Sequence, residues 1–298
     1  MSLISLLIAL AAERTLSNKV WRFDYYYLHY QHLFSKNFTA RQGVAANIAF
    51  VLLPVFTTYL LIDLVDNAVL QMILSTLVLI VCFGCTITRK SYKEYLHSAF
   101  RGEEMTSEMH HHQLLSDKNL PQMGFGQALI WLNYRYYIAI MVYFTLFGAA
   151  GAVFYRLLTT VIEHKKAQCV EATKNSAHEA NVAAEVHESN VTPNFSQGCQ
   201  NHHDVLFWLD WLPVRITSFG YMLVGHFSKA LPVWLESLLL TNKPTHQVLI
   251  DVAEKSEDIM VNNEDCTSEP CLLVRLAKRN VLLMLAVIAV LTLTGIVS

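Results

Sequence analysis

Charge is what this sequence has least of. Only 15% of its 298 residues are Asp, Glu, Lys or Arg, where a soluble globular domain carries about 25%. The 22 basic and 24 acidic residues leave a formal net charge of −2. No global field can steer a polyanion, so nucleic acid is excluded as a partner. Hydrophobic residues make up 53%, which excludes a disordered chain. A mean hydropathy of +0.33 excludes an ordinary cytosolic enzyme. Catalytic signatures are missing too. Gly124-Phe-Gly126 lacks the lysine of a phosphate-binding loop, and no G-x-S-x-G nucleophile elbow occurs. No cofactor is expected.

The remaining charges are bunched, and the gaps between them read as membrane segments. A bilayer core needs about 20 apolar residues in helical form. Four stretches free of charge meet or approach that length: 42–62, with Pro54 as a kink, 67–88, 136–155 and 280–298. Helices satisfy their own backbone groups, which lipid cannot do. Gly148, Ala149, Ala150 and Gly151 would let another helix approach the third run closely. Residues 1–12 are apolar but short, with no basic region or small-residue cleavage site, so a removable signal is not expected. A tilted or half-inserted helix would carry Glu13 and Arg14 into a protein-lined interior as a mutually compensating pair.

Residues 206–236 are apolar yet interrupted by Asp210, Arg215, His226 and Lys229. Pro213 suits a first helical turn. Thr217, Tyr221, Gly225 and Lys229 then share one face, while Ile216, Phe219, Leu223 and Phe227 lie elsewhere. The expected fold is all-α: a polytopic α-helical membrane protein with a broken or amphipathic helix around Pro213. Three regions follow. Residues 1–162 form an N-terminal membrane region with a cytoplasmic loop at 89–135. Residues 163–205, poor in large apolar side chains, form a mobile polar insertion. Residues 206–298 hold an embedded or interfacial helix, a polar loop and a C-terminal transmembrane helix.

Lys and Arg favour the cytoplasmic ends of spans. They crowd 13–41 and 89–135 and are missing from 63–68, so the runs 42–62 and 67–88 form a hairpin with its tip outside. Beyond Arg156 the basic count and the parity of crossings conflict. Either 206–236 crosses once more, or the run around Gly148 is re-entrant; the extra crossing is the expectation adopted.

Six cysteines are present. Cys82 and Cys85 have C-x-x-C spacing inside an apolar run, where packing of small residues is the better account. Cys169 and Cys199 flank the polar insertion and could bridge on an oxidising side. His110-His111-His112 reads as a solvated loop, as does His202-His203, so no metal is expected. The polar residues at membrane depth are more informative. Asn133, Arg135 and Tyr137 could belong to an interfacial aromatic belt with Arg135 snorkelling. Alternatively they join Asp210 and Arg215 around a polar cavity. Asp210 and Arg215 would then flank a helix N-terminus where anions bind, with Arg135 and Arg215 pairing with a phosphate or carboxylate. The candidate ligand-binding residues are therefore Glu13, Arg14, Asn133, Arg135, Asp210 and Arg215, with no catalytic residue assigned.

The segments LLIALAAER, ALIWLNYRYYIAIMVYF and LDWLPVRITSFGYMLVGHFSKALPVWLESL resemble the AmpE family. These are integral inner-membrane proteins associated with β-lactamase regulation in Gram-negative bacteria. The family is distantly similar to the CbiB/CobD membrane enzymes of cobalamin biosynthesis, and the D-x-x-P-x-R element of Asp210, Pro213 and Arg215 is the clearest shared feature. The resemblance implies a regulatory or sensory protein of the bacterial inner membrane. Its expected partners are the lipid bilayer and either cell-wall fragments or another protein of the β-lactamase induction system, such as a cytoplasmic muropeptide amidase. The alternatives are a membrane-bound cobinamide-synthase-like transferase or ligase acting on a phosphorylated substrate, and a small transporter of wall fragments.

Overall fold

The computed structural model describes residues 2–16, 18–38, 44–84, 86–182, 195–239, 243–257 and 268–295. Helices account for the regular structure among them, and no strand occurs. In chain order these are α1 (Ser2–Thr15), α2 (Phe23–Phe38), α3 (Val44–Asp63), α4 (Ala68–Cys82), α5 (Thr86–Phe100), α6 (Glu104–Asp117), α7 (Phe125–Asn133), a π-helical turn (Tyr134–Ile138), α8 (Ala139–Val182), α9 (Phe195–Val224), α10 (Phe227–Leu239), α11 (Thr245–Ser256) and α12 (Ser268–Leu293).

The central feature is a reversal inside α8. Gly148 has φ 65° and ψ −160°, a conformation essentially reserved for glycine. A straight helix would hold Arg135 and Glu163 about 42 Å apart at 1.5 Å per residue. Instead their side chains meet at 3.3 Å, and the rings of Tyr143 and Tyr155 stack with centroids 4.8 Å apart. The apolar run around Gly148 is thus a helical hairpin. The straight span expected for 136–155 is thereby corrected. Gly151 permits the close return, since a Cβ there would sit 2.5 Å from the Tyr143 carbonyl oxygen.

Around the hairpin, α3 and α4 pack on α8, α1 lies on α4, and α9 and α12 close the other side. Tyr134, Tyr155, Tyr221, Leu273 and Leu276 fill the shared core. A second core joins α5 and α6 to α7 through Tyr95, stacked on Phe125 at 3.8 Å.

Pro54, Pro213 and Pro232 lie within helices without breaking them. Each removes the N–H that would reach the carbonyl four residues earlier. Pro54 frees the Phe50 carbonyl, and the Tyr30 hydroxyl donates to it at 3.0 Å. Pro213 frees the Leu209 carbonyl, and the Tyr143 hydroxyl donates to it at 3.0 Å. Pro213 is therefore interior to α9 rather than at a helix start. The break falls later, at Gly225-His226, where the His226 N–H donates to the Ser256 carbonyl at 2.7 Å.

Along α9 the usual amphipathic order is inverted. Thr217, Ser218 and Tyr221 are fully buried, while Ile216, Phe219 and Leu223 are exposed. Exposed apolar side chains also cover α3 (Leu52, Phe56, Leu60), α4 (Ile73, Leu77) and α12 (Leu282, Val290). Apolar surface outward and polar groups inward suit a hydrocarbon surrounding. By length and composition, two helical stretches could cross a membrane, Phe125–Lys165 and Glu269–Leu293, although the first is folded at Gly148. The molecule is compatible with a membrane protein. Residues 163–182 continue α8 and 195–205 open α9; the side chains of Cys85, Cys169, Cys199, Cys266, His202 and His203 lie outside the described residues. Cys82 is buried in α4 as a free thiol.

Candidate functional site

The π-helical turn dictates the site. Its wider spacing is visible where the Ala139 N–H reaches the Tyr134 carbonyl, five residues back. Such turns rotate the following side chains and are frequent at functional sites. Here the consecutive residues Tyr134, Arg135, Tyr136 and Tyr137 find partners on α9, α8 and α1 and at the end of α6.

Tyr134 donates to Asp210 Oδ1 of α9 at 2.7 Å. Tyr155, from the returning arm of the hairpin, donates to the same oxygen at 2.8 Å. Asp210 is 1% exposed, so these charge-assisted bonds replace water as its solvation. Arg135 contributes favourably to Asp210 through its charge while hydrogen-bonding Glu163 at 3.3 Å. Glu163 lies on the hairpin's returning arm. Tyr136 donates to Glu163 Oε2 at 3.3 Å and accepts from Lys118 Nζ at 2.8 Å. Tyr137 donates to Glu13 Oε1 at 3.1 Å.

Glu13 has a partner that the sequence did not suggest. Arg89 of α5 reaches its Oε1 at 2.7 Å and its backbone carbonyl at 3.0 Å. The physical reason is reach: α1 docks on α4, so the start of α5 lies beside the end of α1. The Arg14 side chain lies outside the described residues. Asn133, one residue before the π turn, keeps a buried Oδ1 without a hydrogen-bond partner.

Arg215 stands apart from Arg135 and Asp210. Its Nη2 donates to the Ser237 carbonyl near the end of α10 at 2.6 Å, its Nη1 to Trp211 at 3.1 Å, and its guanidinium lies 4.0 Å over the Trp211 ring. Because α9 runs unbroken through Pro213, no helix N-terminus lies between Asp210 and Arg215, and the anion-binding arrangement expected there is corrected.

Glu163, Tyr155, Arg156, Asp24, Lys118 and Arg89 were missed from the sequence. One signal was present. Arg135 and Glu163 lie fourteen positions either side of Ala149, and Tyr143 and Tyr155 lie six either side. Only a fold at Gly148 gives that symmetry meaning. On the side of the site nearest α2, Tyr27 stacks on His164 with centroids 4.7 Å apart. Burial pushes the Tyr27 phenol up to about 12 and the Tyr30 phenol upward as well.

The described residues contain no group of three or more His, Cys, Asp or Glu side chains that could hold a metal ion. His111 of the triple-histidine tract uses its ring on the Met123 carbonyl at 2.8 Å. The geometry offers a buried ionic network linking three helical elements rather than a nucleophile with its base.

The model of the family described as Regulatory signalling modulator protein AmpE matches residues 1–298 of the chain. The chain belongs to the AmpE family. Among curated proteins it is similar to Protein AmpE of Shigella flexneri, 25% identical over 264 residues, which cover 86% of this chain and 78% of that protein. No solved structure matches it. As an AmpE family member the chain is a regulatory membrane protein, and a signalling modulator acts within a system of other proteins. The same match carries the regulatory expectation and gives the transferase alternative no support.

Proposed function

We propose that this chain is a multi-pass protein of the bacterial inner membrane that modulates β-lactamase induction in response to cell-wall fragments. The Asp210–Arg135–Glu163 network is its sensing element, with Glu13, Arg14 and Asn133 at its margin and Arg215 fixing α9 to α10. Family membership over residues 1–298 supports the regulatory role. The observation that carries the sensing element is the buried Asp210, held by the Tyr134 and Tyr155 hydroxyls at 2.7 and 2.8 Å, with the adjacent Arg135 bonded to Glu163 at 3.3 Å. An ionisable network buried among apolar helices is costly unless it does something. Re-partnering of Arg135 between Glu163 and Asp210 would shift the hairpin against α9, which is the kind of bistable element a sensor needs.

The test is complementation in a strain lacking its own copy. Wild-type protein restores the normal β-lactamase induction response to a sub-lethal β-lactam. Asp210→Asn and Glu163→Gln, each at wild-type abundance in the membrane, shift that response. Full restoration by both variants at equal abundance would remove the network from signalling. Fractionation that leaves the chain outside the inner membrane would reject the location.

A further inference from the structure

A second group of charges lies beside the network, and its Arg135 and Arg156 side chains are more deeply placed than Glu163 and Asp24. Arg156, on the returning arm of the hairpin, is 2% exposed. Its Nη2 approaches Asp24 Oδ1 at 3.6 Å, too far for a hydrogen bond. The guanidinium packs on Tyr136 and Phe23, 4.5 and 5.4 Å from the ring centroids. Its Nε and Nη1 have no hydrogen-bond partner, and neither has Nε of Arg135. Those three nitrogens carry four N–H donors in all.

The nearest acid is loosely held. Asp24 is shared with Arg22 at 3.8 Å, again beyond hydrogen-bond range, and its side chain is 39% exposed. Glu163 already serves Arg135 and Tyr136. Lys118 enters from the end of α6 through the Tyr136 hydroxyl. Asp24, the more exposed of these carboxylates, is thus held without a hydrogen bond to either arginine.

We propose that this place binds an oxyanion of the phosphate class, which displaces Asp24 from Arg156 and takes up the idle N–H donors. Guanidinium groups recognise phosphate through several charge-assisted bonds at once. Asp24 holds the site in the meantime, close enough to offset the charge and loose enough to leave. The phosphate can belong to a soluble molecule or to an anionic lipid headgroup, and the chemistry is shared. The inference does not depend on which signal the Asp210 network handles.

The full-length protein in neutral detergent is titrated with inorganic phosphate at constant ionic strength, following its thermal unfolding. In parallel it is reconstituted in phosphatidylcholine nanodiscs with and without phosphatidylglycerol. A rise in melting temperature with inorganic phosphate identifies a free phosphate, and one with phosphatidylglycerol alone identifies the headgroup; either supports the site. Arg156→Gln abolishes the rise. Asp24→Asn, a change at a half-exposed position, strengthens binding on the order of tenfold by removing a competing like charge. Should Arg156→Gln fail to fold, Asp24→Asn decides alone. No rise with either probe, a rise undiminished in Arg156→Gln, or Asp24→Asn binding no tighter than wild type overturns the proposal.

Discussion

The Tyr143 hydroxyl donates to the Leu209 carbonyl at 3.0 Å, the carbonyl that Pro213 leaves without its intrahelical donor. The hairpin thereby supplies from outside what the proline removes from within. It explains why α9 continues through a residue that normally ends or kinks a helix.

The pair can be tested by a double-mutant cycle. Tyr143→Phe orphans a carbonyl and costs about 1–2 kcal/mol. In a Pro213→Ala background, where residue 213 supplies its own N–H, the same change costs markedly less. Thermal unfolding in detergent measures both, and equal costs in the two backgrounds would contradict the relationship.

Asp210 is held by two hydroxyls and by the field of Arg135. Asp210→Ala takes one acid's field away from Arg135 and leaves both tyrosines without an acceptor. A loss of about 3–5 kcal/mol is expected. Tyr134→Phe and Tyr155→Phe each lose about 1–2 kcal/mol, since each leaves the other bond intact. A neutral Asp210→Ala variant would show that the network adds nothing to stability.

Gly148 carries the reversal with φ 65°. Gly148→Ala strains the turn by about 1–3 kcal/mol, visible as a lower unfolding temperature. The reversal also sets sidedness, because a hairpin returns residue 165 to the side from which residue 123 enters. In a background free of native cysteines, Met123→Cys and Lys165→Cys therefore react with an impermeant thiol reagent from the same face of the membrane. Labelling from opposite faces would restore the straight crossing.

Alkaline pH probes α2. An unfolded tyrosine ionises near pH 10, whereas burial holds the Tyr27 phenol up to about 12. The buried neutral phenol thus contributes stability that is present in full below pH 10 and is lost as pH rises towards 12. Melting temperatures across pH 9 to 12 decline in the wild type, and Tyr27→Phe makes that decline shallower. Superimposable profiles would place Tyr27 in contact with water.

Much of this was open to inspection in one dimension. The uncharged runs 42–62 and 280–298 fall on α3 and the later part of α12, because a helix that must satisfy its own backbone leaves a long apolar stretch. The run 67–88 is not one helix, since α4 stops at Cys82 and α5 starts at Thr86. The polar stripe of Thr217 and Tyr221 was readable from a four-residue recurrence, and both are buried. Arg135 and Asp210 stood out as ionisable groups where hydrocarbon should disfavour them.

Local pattern failed where a distant group changed the local rule. Pro213 has the properties of a helix start, yet it lies in mid-helix, where the Tyr143 hydroxyl meets the carbonyl it frees. Glu13 is paired with Arg89, 76 residues away in sequence, because α1 docks on α4. Composition and periodicity determined that this protein is helical, apolar on its outside and sparing with charge, because those properties follow from each segment's own backbone and surface. Which charges meet was decided by tertiary structure alone: the backbone reversal at Gly148 brings Glu163 to Arg135 and Tyr155 to Asp210, and no one-dimensional spacing contains that fold-back.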